Sequence, residues 1–162
     1  MINVMVIGLK GELGHKTALE VIKNHNTKII DFSLNENNET IKIGEKTINL
    51  VASKNHEMTI KETKPDIIVD FSSEFEIFFK DHLKLYAKNN VPFIVSTVFQ
   101  DKSQLNLEKI LEGSKSSVLV IDDVCRREVD YIAELTIHAI KFLFGNKGKS
   151  QIFEDDMVLD LQ

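Results

Sequence analysis

Apolar residues run unbroken from Val4 to Ile7, stop at Gly8, and return at helical spacing beyond Gly11. A continuous β-branched run marks a strand buried on both faces, and the change to a 3.6-residue period marks a strand feeding a helix. The pattern predicts a first strand ending at Gly8 and a helix over about Glu12 to Lys23. Leu13, Ala18, Leu19 and Ile22 form its buried side, and Asn24-His25-Asn26 closes it with His25 exposed. Lys28 to Leu34 (KIIDFSL) reads as the second strand, with Asn35-Glu36-Asn37-Asn38 a polar loop at its carboxyl end. Residues 40–53 alternate around Gly44, which predicts a hairpin leading into a third strand, Ile48 to Ala52. A short helix over about His56 to Thr63 ends at Lys64-Pro65, since the residue before a proline is disfavoured in a helix. His56 is read there as a polar residue at the helix start.

The same alternation continues. Ile67 to Phe71 is a fourth strand, apolar until its carboxyl end, where Ser72-Ser73 follow and Ser73 can cap the next helix. That helix carries Phe75, Phe78, Phe79, His82 and Tyr86 at i, i+3, i+4 spacing, a stripe that reads as core, with His82 a core residue and not a ligand. Val91 to Val95 is a fifth strand ending in Ser96-Thr97-Val98-Phe99, and a helix from about Ser103 to Glu112 turns Leu107, Ile110 and Leu111 inward. Ser117 to Ile121 is a sixth strand, closed by Asp122-Asp123. Cys125-Arg126-Arg127-Glu128 then leads into a long apolar helix, Val129 to Phe144, ended by Gly145, with His138 a packing or surface residue. The tail, Ile152 to Leu161, alternates too loosely to assign. Strands alternating with helices define an α/β fold: a Rossmann-type doubly wound parallel sheet, one domain over residues 1–162.

Composition narrows the function. With 162 residues, 43% hydrophobic and 28% charged, the chain can bury one sizeable core. Its net charge of −5 argues against nucleic acid and anionic membrane as partners. No apolar run reaches the length of a membrane span and no signal peptide precedes the first strand, so a cytoplasmic setting is expected. The lone Cys125 excludes an intrachain disulfide and a cysteine-cluster metal site. Arg126 and Arg127 beside it would favour a thiolate, but no histidine lies near in sequence, so it reads as an ordinary loop thiol. Asp122, Asp123, Glu128 and Asp130 show no metal-ligand spacing and read as a solvated acidic stretch.

The chemistry is concentrated at the head of the chain. Gly8, Gly11 and Gly14 fall as G-x-x-G-x-x-G between strand and helix, a variant spacing of the dinucleotide-binding fingerprint. Gly8 permits the tight turn, Gly11 lets backbone approach a pyrophosphate, and Gly14 lets the helix pack close on the strand. The helix start would hold the anion, and Lys10 and Lys16 add positive charge nearby. The bland alternative is a plain strand–helix turn. A ribose-binding acid is expected about 20 residues on. Glu36, past the strand end, is the candidate, or else a solvated loop charge; Asp31 sits nearer mid-strand. No arginine follows Glu36 to grip a 2′-phosphate, so NADH is at least as good a candidate cofactor as NADPH.

Several motifs together resemble the dihydrodipicolinate reductase (4-hydroxy-tetrahydrodipicolinate reductase) family of lysine biosynthesis. Gly8-Leu9-Lys10-Gly11-Glu12-Leu13-Gly14 has the family's glycine spacing, with Glu12 where many members have arginine. Ile68-Val69-Asp70-Phe71-Ser72 resembles the I-D-F-T strand end beside the nicotinamide, and Val95-Ser96-Thr97-Val98-Phe99 resembles G-T-T-G-F with both glycines replaced by valine. Ile140 to Lys147, Ile152-Phe153 and Asp156 to Leu161 resemble the family's closing helix and its L-Y-x-M-x-D-V-L-x-L ending. The resemblance implies NAD(P)H held by Gly8, Lys10, Gly11, Glu12, Leu13, Glu36, Phe71, Ser72, Ser96 and Thr97. It also implies a substrate domain inserted at residues 123–129, bearing paired histidines, a lysine and an S-G-T loop, and no stretch here resembles that domain. Glu12 sets a negative charge where phosphates approach, a cost on the order of 1 kcal/mol. The expectation is an NAD(P)H-binding domain that does not catalyse the family reaction alone, with no catalytic or metal-binding residue assigned. The alternatives are an oxidoreductase completed by a second copy or a partner protein, and a non-catalytic pseudoenzyme acting as an interaction scaffold.

Overall fold

A computed structural model describes residues 1–72, 76–97, 107–122, 129–145, 150–154 and 157–161. In chain order the elements are β1 (Ile2–Ile7), α1 (Glu12–Lys23), β2 (Thr27–Ile29), β3 (Phe32–Leu34), β4 (Glu39–Ile43), β5 (Lys46–Val51), α2 (His56–Thr63) and β6 (Ile67–Asp70). There follow α3 (Glu76–Lys88), β7 (Phe93–Thr97), α4 (Leu107–Leu111), β8 (Val118–Asp122), α5 (Val129–Gly145), β9 (Ser150–Glu154) and β10 (Met157–Leu161). Seven strands form one sheet in the order β10-β9-β8-β7-β6-β1-β2, parallel throughout except for β10 against β9. From β1 the chain steps outward to β2, then crosses back to β6 on the other side of β1. That reversal is the switch point where open α/β sheets bind ligands.

Strand alternation sorts the core into two layers. Val4, Val6, Ile67, Val69, Ile94, Leu119 and Ile121 face one side, where α1 brings Ala18 and Val21 and α5 brings Ile137, Ile140 and Leu143. Met5, Ile7, Ile68, Phe93, Val95, Val118 and Val120 face the other, against Ile60 of α2 and Leu83 and Tyr86 of α3. Leu107, Ile110 and Leu111 of α4 pack partly buried on that second side. Helices on both faces make the sheet doubly wound.

Three expectations are corrected. The run KIIDFSL is two strands in two sheets. Ile30 N–H still donates to Val4 O at 2.9 Å, but Asp31 O already accepts from Asn49 N–H at 2.9 Å. The backbone thus changes partner between consecutive residues. The expected third strand, seen as β5, belongs to a separate three-stranded sheet, β3-β5-β4, with β3 parallel and β4 antiparallel to it across the Gly44-Glu45 turn. On α1 the buried stripe is Gly14, Thr17, Ala18 and Val21, while Leu13, Leu19 and Ile22 lie half-buried at its margin. The small residues go inward because the helix seats its first turn on the β1 turn. The tail left unassigned forms the β9–β10 hairpin, and β9 extends the sheet parallel to β8.

Ser73, Phe75, Val98, Phe99, Asp123, Cys125, Arg126, Arg127 and Glu128 lie outside the described residues, as do the side chains of Phe78 and Phe79 and most of the 123–129 junction. Among the described residues no helix is long and apolar enough to cross a membrane, and no group of three His, Cys, Asp or Glu could hold a metal ion.

Candidate functional site

The carboxyl ends of β1 and β6 meet at the switch point. Gly8 adopts φ +83°, and a Cβ there would lie 2.9 Å from the Phe71 carbonyl carbon. Both the backbone conformation and the close approach of the next strand require glycine. Gly11 N–H donates to Gly8 O at 3.0 Å, which closes the turn, and Gly11 is the N-cap of α1 with no side-chain cap. A Cβ on Gly14 would sit 2.2 Å from Gly8 O and 2.6 Å from its carbonyl carbon. Helix and turn therefore touch backbone to backbone. Glu12 is exposed in the first turn of α1 and Leu13 is half-buried.

Lys10 and Glu36 fall on the small-sheet side of this turn. Lys10 is ion-paired with Glu39 at the start of β4, and Asn35 Nδ2 donates to the same Glu39 oxygen at 2.6 Å. The hydrogen bond from Lys10 holds the Glu39 carboxyl below its ordinary range. Glu36 is exposed in the loop after β3. Of the two acids there, Glu39 is the one joined to the glycine turn. Lys16 points the other way and pairs with Asp130 of α5 at 3.0 Å.

On the β6 side, Phe71 is half-buried against the first core layer and its N–H donates to Ile7 O at 3.2 Å. Ser72 follows, half-exposed. Ser96 and Thr97 end β7, paired with Ile121 and Asp122 of β8. Gly8, Gly11, Phe71 and Ser72 are thus gathered at one crevice, with Ser96 and Thr97 at the next strand end and Lys10 and Glu36 toward the small sheet.

A buried polar network lies under this crevice. Asp70, the last residue of β6, has no solvent exposure. Ser72 N–H (2.8 Å) and Ser72 Oγ–H (2.5 Å) donate to its Oδ1. His82 Nδ1–H (3.2 Å) and Tyr86 O–H (2.7 Å) donate to Oδ2. Burial pushes the Asp70 carboxyl up, but the hydrogen bond and charge of His82, with Ser72 and Tyr86, outweigh it and hold the group below the usual carboxylate range. Burial, then the charge of Asp70 and the hydrogen bond to it, pushes the Tyr86 phenol well up. The His82 ring lies 5.1 Å from that of His56, whose Nε2–H is shared between Asn35 O (2.9 Å) and Val51 O (2.8 Å).

His56 is therefore not a mere polar residue at a helix start but a buried tie between α2 and the small sheet. Burial first, then the nearby His82, lowers its pKa, against the opposing pull of the two carbonyls. In the unfolded chain the ring takes a proton near its ordinary 6.5, whereas the folded ring stays neutral to lower pH. The unfolded state then binds the extra proton, so stability falls as pH drops below about 6.5. Urea midpoints at pH 7.5 and 5.5 will show this loss in the wild type and a smaller one in His56→Gln.

The sequence marks Asp70 only as part of a motif and does not mark Glu39. An acid closing an apolar run, a hydroxyl two residues on, and His and Tyr at i, i+4 on the next helix were the available signal. Glu39 offered none, because its nearness to Lys10 depends on the hairpin folding back.

The glycine turn at the switch point of a doubly wound sheet defines a Rossmann-type domain. Residues 2–122 match the family described as dihydrodipicolinate reductase, N-terminus, and the chain belongs to that family. The 4-hydroxy-tetrahydrodipicolinate reductase of Methanococcus aeolicus is 30% identical over 135 residues, covering 74% of this chain and 47% of that protein. The Methanosarcina barkeri enzyme of that name is 26% identical over 157 residues, covering 87% and 59%. The chain thus spans about half the length of the curated relatives it matches. Among solved structures, dipicolinate-bound dihydrodipicolinate reductase from Paenisporosarcina sp. TG-14 superposes with a TM-score of 0.57 at 22% identity, over 75% of this chain and 47% of that one. Homoserine dehydrogenase of S. aureus gives 0.58 at 19% identity, over 74% and 32%. Both likenesses are of fold.

Proposed function

We propose that this chain is the nicotinamide-dinucleotide-binding part of a dihydrodipicolinate reductase-type protein, taking NADH or NADPH across the crevice between β1 and β6. One observation carries the reading: the backbone contact of Gly14 with Gly8 places the start of α1 directly over the β1 turn, the cradle a pyrophosphate needs. Gly8, Gly11 and the first turn of α1 would hold the phosphates. The loop and hairpin bearing Glu36 and Glu39 would meet the adenosine ribose, where two acids favour a free 2′-hydroxyl over a 2′-phosphate. Phe71, Ser72, Ser96 and Thr97 would line the nicotinamide half. When bound, the cofactor supplies a hydride.

The substrate-holding groups of the family reaction are not assigned in this chain, so the isolated chain binds cofactor without turning over. A second reading is favoured by coverage. In it, another chain or a partner protein supplies the substrate site, since the match covers only 47% of the Methanococcus aeolicus reductase.

Gly11 is the informative position. Its φ of −79° suits any residue, and a Cβ there meets only Gly8 O at 3.3 Å. Gly11→Val therefore asks only a small local shift of the turn and crowds the approach to it. Thermal-shift titration should show saturable stabilisation of the wild type, larger with NADH than with NADPH, and at least tenfold weaker binding by Gly11→Val. Absence of any shift at millimolar dinucleotide would rule the reading out.

A further inference from the structure

We infer that Asp70 is a positioning residue that turns the carboxyl end of β6 into a wall presenting only acceptors at Ser72, and that this wall selects the amide N–H edge of the nicotinamide carboxamide. The inference rests on the dinucleotide reading above and concerns a narrower matter: which polarity the chain presents to the reactive half of the ligand.

An ionised Asp70 only accepts, so each of its four contacts is a donation toward it. Both protons that Ser72 could offer, on its backbone nitrogen and on Oγ, are therefore turned inward. Ser72 as a residue is half-exposed, and with its proton committed to Asp70 its hydroxyl oxygen keeps only lone pairs for anything in the crevice. A serine elsewhere rotates its hydroxyl to suit either partner; here the short bond to a buried charge removes that freedom. Oδ2 is held from beneath by His82 and Tyr86 of α3, so the carboxylate cannot swing away.

The position of this wall decides which part of the ligand meets it. With the adenosine ribose on the β2 side of the switch point, the nicotinamide half lies on the β6 side. A carboxamide has two unlike edges, a carbonyl that needs a donor and an NH2 that needs an acceptor. A wall of acceptors satisfies the second and leaves the first unpaired. Discrimination follows from the cost of an unmatched polar group in a partly dry site.

The test compares NAD+ with its 3-acetylpyridine analogue, which keeps the ring, both riboses and the pyrophosphate but replaces the amide NH2 by a methyl group. Calorimetric titration of the full chain should show the analogue binding roughly fivefold or more weakly, the equivalent of one lost hydrogen bond. Ser72→Ala should bind the two alike. Tyr86→Phe disturbs the same network at Oδ2, away from the Ser72 contacts, and should keep the wild-type preference. Asp70→Ala, where it folds, should drift toward parity although the hydroxyl remains. Equal affinities in the wild type, or an undiminished preference in Ser72→Ala, would overturn the inference while leaving dinucleotide binding intact. Failure of both ligands to bind any variant would remove the dinucleotide reading and this inference together.

Discussion

Asp70→Ala is expected to lose about 3–5 kcal/mol of folding stability, a large fraction of what a domain of this size possesses. The carboxylate is fully buried and accepts from four donors. Its removal strands the Tyr86 hydroxyl and the His82 N–H in a layer otherwise made of Met5, Ile7, Ile68 and Phe93. Asn is no remedy, since its amide would set two donors against donors. Tyr86→Phe takes away a single hydrogen bond to the charge and should cost less, about 1.5–3 kcal/mol. The Asp70 carboxyl is held below its ordinary range, so its contribution is present at neutral pH and is lost as acid protonates it, in a window below that of His56. Urea denaturation at pH 7.5, and again below pH 4, will show whether wild type and Asp70→Ala converge in acid as this requires.

Gly14→Ala is expected to cost about 3 kcal/mol, and here two effects of opposite sign compete. Helix propensity favours alanine over glycine within a helix by about 0.5–1 kcal/mol. Against that, the new Cβ would stand 2.2 Å from Gly8 O, a backbone atom that cannot rotate aside. The contact decides. Either α1 lifts from the turn or the turn abandons its φ of +83°. Gly11→Ala, whose Cβ would stand 3.3 Å from the same oxygen, a tight contact relieved by a shift of a few tenths of an ångström, should cost much less, about 1 kcal/mol or below. Denaturant midpoints of the two variants measured side by side will separate a packing requirement from a general dislike of substitution. Equal losses would refute the assignment of Gly14 to helix–turn contact.

What was legible in the sequence was whatever neighbouring residues decide. The end of β1 at Gly8, α1 over 12–23 and α2 over 56–63 follow from a β-branched run, a glycine turn and a lysine-proline stop. Lys64 indeed leaves the helix at φ 47°. The split of KIIDFSL was not legible, because nothing in Ile30-Asp31 announces a change of hydrogen-bonding partner; Val4 and Asn49 announce it, and they are far away. The same holds for His56, buried by carbonyls of Asn35 and Val51, and for Glu39, brought to Lys10 by a hairpin. The glycine turn of the candidate site was written in seven consecutive residues. Its electrostatics were less so, since two of the four contacts of Asp70 come from a helix further along the chain.

The place of β1 in the middle of its sheet has a bearing on how the chain is made. During synthesis β1 can pair with β2 as soon as residue 29 emerges, but its other edge waits for β6, which ends at residue 70. Until then Val4 to Ile7 present an unsatisfied parallel edge with apolar side chains on both sides, the kind of template that captures other chains. The nascent chain's period of greatest aggregation risk therefore runs between these two lengths.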